Sequence, residues 1–75
     1  MEDYTRKSRI TGKYFNLFES VRILNLKQVT AYIDNGIMPL DIYTSRDENN
    51  KPVLVFLFDR EETKKVYDLW CKHEL

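Results

Sequence analysis

Cys71 and His73 are the only thiol and the only imidazole in the chain, and those two residue types make a thiolate–imidazole nucleophile when they meet. Their spacing works against it. The apolar periodicity around them predicts a helix, on which residues two apart point about 200° away from each other. The expectation is a half-buried, inert thiol at the rim of an apolar face and a packed or capping imidazole near a helix end. Zinc normally takes three or four Cys, His or carboxylate ligands; one Cys and one His without ligand spacing predict no metal site.

Asp59, Glu61 and Glu62 bring three carboxylates together in sequence, the raw material of a general acid and base. They fall where a helix should open, however, and there acids cap free amides and complement the dipole. Asp47 and Glu48 stand beside Arg46 and Lys51 in a predicted turn and read as solvating charge. Gly12-Lys13 lacks the rest of a phosphate-cradling loop. These residues predict no catalytic group and no cofactor, and the expected protein is not an enzyme.

Arg6, Lys7, Arg9 and Lys13 form the one local charge excess, with no acid among residues 6–13, and Tyr4, Tyr14 and Phe15 interleave with them. Such stretches track phosphates while bases stack on the rings, which makes these four cations the candidate nucleic-acid contacts of an alternative reading. Over the whole chain 12 basic and 12 acidic residues cancel, leaving no global field to steer nucleic acid or an anionic membrane. Residues 1–13 therefore read first as a flexible basic arm.

Positioning falls to a single domain over residues 14–75, since 75 residues support one modest core. A lone cysteine excludes an internal disulfide and favours a reducing compartment. No apolar run approaches the roughly 18 residues of a membrane span, and Met1-Glu2-Asp3-Tyr4 lacks the basic start of a signal peptide. A cytoplasmic protein without membrane contact is expected.

Within the domain, residues 14–18 fit both a helical stripe and a strand alternation, and a short strand is predicted over 20–24. Asn25 is an N-cap with Gln28 as its capping-box partner, and Leu26, Val29, Tyr32 and Ile33 share one helical face. Gly36 supplies the left-handed stop and Pro39 prevents resumption. Leu40, Ile42 and Thr44 then alternate with Asp41, Tyr43 and Ser45, and a second strand covers residues 53–58. Asn49-Asn50 between them suggests a type I′ turn. Asp59 and Glu62 cap a last helix whose apolar face is Val66, Leu69, Trp70 and His73. The predicted fold is α+β: a three-stranded sheet in strand–helix–hairpin–helix order, with two amphipathic helices on one face.

That arrangement leaves one anomaly. Val53-Leu54-Val55-Phe56-Leu57-Phe58 is apolar on both sides, whereas a half-exposed strand alternates. Either Tyr14, Phe15, Leu17 and Phe18 fold over the second face, or a second protomer or partner protein covers it. The latter makes Tyr14, Phe15, Phe18, Leu54, Phe56 and Phe58 candidate interface residues, with a symmetric homodimer as the default.

From Val21-Arg22-Ile23 through Leu26-Lys27-Gln28-Val29, Tyr32-Ile33, Gly36-Ile37 and Pro39-Leu40-Asp41-Ile42, and on through Val55-Phe56-Leu57-Phe58-Asp59-Arg60-Glu61-Glu62-Thr63, Trp70 and His73-Glu74-Leu75, the chain resembles a family of small uncharacterised domains in low-GC Gram-positive bacteria and their phages. The resemblance covers about Val21 to Leu75. It implies a bacterial or phage cytoplasm and supplies no catalytic residues. Residues 1–20 and the longer charged hairpin loop depart from the pattern, so the basic arm has no family support. The functional expectation is a non-enzymatic protein-interaction module, homo-oligomeric or docking another bacterial or phage protein. The alternative is a nucleic-acid-binding accessory protein.

Overall fold

The computed structural model describes residues 4–73. Along them run β1 (Thr5–Lys7), β2 (Tyr14–Asn16), a 3-10 turn (Leu17–Glu19), β3 (Ser20–Ile23), α1 (Leu26–Asp34), β4 (Asp41–Arg46), β5 (Pro52–Asp59) and α2 (Arg60–Cys71). From β3 onward the α+β order is as expected. The three-stranded sheet is antiparallel throughout, with β5 between β3 and β4. A second, two-stranded sheet, β1 paired with β2, is an addition that the sequence reading lacked.

β5 is central because its residues satisfy both neighbours and both faces. Val21 lies opposite Phe58, and Ile23 and Ile42 both lie opposite Phe56; residues directly opposite share a face. Phe56 and Phe58 therefore point to the helices, where they pack with Val29, Tyr32 and Ile37, flanked by Val66 and Trp70. Tyr32 meets Phe58 edge to face, with centroids 5.3 Å apart, the arrangement the ring quadrupoles favour. The other face is buried as well, with Val55 0% and Leu57 2% exposed.

Its cover is the chain itself. Arg6 stands opposite Phe15 in the β1–β2 hairpin, and Phe15 and Leu17 share a cavity wall with Leu57 and Tyr43 of the large sheet. The residues expected as a flexible arm thus supply, from Tyr4 on, one strand and the loop of a docked hairpin; residues 1–3 lie outside the described part. The loop is built on Ser8, which is buried. Its hydroxyl oxygen accepts from the Ile10 and Thr11 amides, its N–H donates to the Lys13 carbonyl, and its own carbonyl accepts from Gly12. Gly12 has φ +73°, a conformation that glycine adopts without steric cost.

One polar contact locks this loop to the sheet. The Arg9 amide donates to Asp41 Oδ1 at 3.0 Å, and Asp41 is a buried carboxylate at the start of β4. Hydrogen bonds to charged groups contribute about 1.5–3 kcal/mol. Asp41→Ala should lower stability by about that amount in urea denaturation, and Asp41→Asn, which keeps an acceptor, should lose less.

The caps follow the sequence in part. Asn25 Oδ1 accepts from the Lys27 and Gln28 amides, but Gln28 does not reach back to complete a box: its Nε2 donates to the Tyr32 hydroxyl at 2.7 Å. Asp59 ends β5 and caps α2, accepting from the Glu62 amide. Gly36 is left-handed, as expected. His73 is too, with φ 58°. It closes α2 just past the helix end and is exposed rather than set on the apolar face. The β4–β5 turn is not type I′. Its hydrogen bond joins the Asn50 amide to the Asp47 carbonyl, and only Asn50 has positive φ, because Asp47 Oδ1 holds the loop by accepting from Asn49 and Lys51.

Candidate functional site

β3 pairs with β5 on one side, and no described strand lies on its other side. The register that turns Phe56 and Phe58 toward the helices turns Val21 and Ile23 the same way, but β3 is an edge, so these two are only half buried. Across from them runs α2. Its Arg60, Lys64 and Tyr67 recur at i, i+4 and i+7, one stripe of a helix. Between strand and helix lies an open groove of about 230 Å³, lined by Val21, Ile23, Tyr32, Thr63 and Tyr67, with Arg60 and Lys64 along its rim. An enclosed apolar cavity of about 150 Å³ holds a benzene ring, so this groove has room for a branched or aromatic side chain.

Each wall residue is held by its neighbours. Thr63 is buried, and its hydroxyl donates back to the Asp59 and Arg60 carbonyls. Tyr32 forms the floor, fixed by Phe58 and Gln28. Arg60 Nη2 donates to the Ser20 carbonyl at 3.3 Å, which ties the start of α2 to the start of β3. Lys64 pairs with Glu61 at 4.0 Å, and both side chains are mostly exposed; a pair of this kind contributes little in water. Tyr67 is 51% exposed. Its hydroxyl titrates above the usual tyrosine range, chiefly because Cys71, one turn on, hydrogen-bonds to it and repels a second negative charge. Cys71 itself is exposed, not half buried.

Comparison with protein-family models, curated proteins and solved structures finds no match. Residue roles in this site therefore rest on its own geometry.

The candidate interface residues separate. Phe56 and Phe58 are core residues, and Phe15 is half buried in the hairpin that faces the sheet. Tyr14, Phe18 and Leu54 remain exposed, at 70%, 65% and 44%; Phe18 stacks obliquely on Tyr4 at 5.6 Å. Of the candidate nucleic-acid contacts, Arg6, Lys7 and Arg9 line one cavity of about 300 Å³ with Asp41 and Tyr43, while Lys13 lines a different one near Glu62 and Met38. Among the described residues no group of three or more His, Cys, Asp and Glu side chains could hold a metal, and no helix is long and apolar enough to cross a membrane.

Reading the sequence missed Val21, Ile23, Tyr32, Arg60, Lys64 and Tyr67 as a set. The signal was present in two halves, an apolar pair in a strand and a cation–cation–aromatic stripe on a helix. Nothing local to either half says that they face one another.

Proposed function

We propose that the protein is a non-enzymatic protein-interaction module whose docking surface is the groove between β3 and α2. The observation that carries this reading is an apolar trough with preformed walls lying against a strand edge that has no partner strand among the described residues. Exposed apolar surface rimmed by polar groups marks interaction sites. The second face of β5, for which the sequence left cover by residues 14–18 or by a second protomer equally open, has Phe15 and Leu17 beside Leu57, which favours cover by the chain itself.

The test is a counter-screened selection. Libraries of displayed linear peptides and of small folded domains are passed over the immobilised protein, and binders are re-tested on Tyr67→Ala, whose exposed position leaves the fold intact. Binders that lose at least most of their affinity for Tyr67→Ala support the groove. An empty selection, or binders indifferent to the substitution, overturns the reading.

A second reading is supported by one observation, the convergence of Arg6, Lys7 and Arg9 on a single cavity beside the exposed Tyr14. Binding of single-stranded nucleic acid there would weaken steeply with salt. It would be lost in the triple alanine variant of those cations. Salt-insensitive binding or none removes it.

A further inference from the structure

We infer that the groove takes an extended, acidic peptide segment, added to the free edge of β3 as a fourth strand. This rests on the docking reading above and names its occupant. The first ground is the backbone. An edge strand presents unpaired N–H and C=O groups, and peptides added to such an edge gain main-chain hydrogen bonds while alternate side chains enter pockets beside it. The Ser20 amide already donates to the Leu17 carbonyl and the Ser20 carbonyl accepts from Arg60, so the edge that β3 offers a peptide begins beyond Ser20. In β3 the helix-facing positions are Val21 and Ile23, and both line the groove. A strand laid alongside would send every second side chain into the same trough.

The second ground is charge. Arg60 and Lys64 line the groove and no acid does. Arg60 is tied to Ser20, so the cations stand toward the Ser20 end. Of the lining residues, Tyr67 is the last along α2 and Ile23 the last along β3. The matching ligand carries a carboxylate where it passes Arg60 and Lys64, and a branched or aromatic side chain where it meets Ile23, Tyr32 and Tyr67. A second copy of this chain fits less well. Two-fold pairing of β3 with itself would bring Arg22 close to its own counterpart across the new ladder, and like charges placed so are destabilising. Glu61, near Lys64, and Glu19 and Asp59, which with Glu61 share a second cavity with Arg60, are internal competitors for the ligand carboxylate.

The experiment uses the full chain and the linear peptides selected above, read by fluorescence anisotropy. Acidic sequences with alternating apolar residues should dominate. N-methylation of alternate backbone amides should abolish binding in one of the two phases and spare it in the other, because only one set of amides faces β3. Lys64→Glu should weaken binding several-fold, and Glu61→Gln should tighten it. Unchanged circular dichroism checks that the variants fold. Basic or helical binders, or acidic ones indifferent to N-methylation in both phases, overturn the strand-addition inference while leaving groove docking intact. Self-association in sedimentation equilibrium that Lys64→Glu abolishes would overturn it in favour of a second copy. An empty selection removes the docking reading itself.

Discussion

Phe58→Ala is expected to remove most of the stability of the protein. Phe58 is 0% exposed, closes on Tyr32 edge to face, and sits in the core that joins both helices to the sheet. Truncating a buried phenylalanine costs about 3–5 kcal/mol, against roughly 4–11 kcal/mol of total stability for a chain of this length. The groove floor is lost with it, since Tyr32 would lose the ring that orients it. Urea denaturation followed by the fluorescence of Trp70, which packs on the same core, should give an early midpoint or no cooperative transition. Phe58→Leu, which keeps much of the apolar volume, should retain one. Equal midpoints for Phe58→Ala and the unaltered chain would mean that the core is centred elsewhere.

The second large effect concerns residues 1–17. Removing them should uncover Val55 and Leu57, which are all but inaccessible in the intact fold. Fully burying an aliphatic side chain contributes about 1.5–3 kcal/mol, so the shortened chain should lose about 3–6 kcal/mol from these two residues. The Arg9–Asp41 contact goes with the hairpin. Thermal unfolding should shift strongly downward, and a hydrophobic dye should bind the folded remainder. If the truncated protein melts where the full chain does, residues 1–17 are an appendage and the second face of β5 is covered by something else.

Much of the C-terminal three-quarters was legible because its signals are local. Asn25, Gly36 and Asp59 mark helix ends through bonds that span two to four residues, and the strand pattern over residues 40–45 needs no distant information. The hairpin was illegible for the opposite reason. Its strands have three residues each, too few for periodicity. What holds its loop to the sheet is an amide-to-carboxylate bond between Arg9 and Asp41, 32 positions apart. Read alone, Arg6, Lys7 and Arg9 look like solvated charge. The two-sided strand did signal that a cover was required, and Phe15 and Leu17 were among the residues named for it; Tyr14 and Phe18, named with them, instead face outward. Gln28 failed as a capping partner because Tyr32, one turn on, offered its side chain a hydroxyl. The groove escaped notice because it is made by register. Val21 and Ile23 face α2 only once they stand opposite Phe58 and Phe56.

β5 has a further consequence outside the native state. Residues 53–58 form an uncharged run of β-branched, aromatic and leucine side chains without proline or glycine, the composition from which steric zippers and amyloid are built. In the folded molecule residues 53–57 pair with β4 and residues 56–58 with β3, and Val55, Phe56, Leu57 and Phe58 are buried, which keeps most of the run from templating another chain. Pro52 and the Asp59–Arg60 pair flank it as gatekeepers. Fibril nucleation in this protein is therefore governed by how often the fold opens, and a substitution that loosens either cover should shorten the lag time even when it lies far from the strand itself.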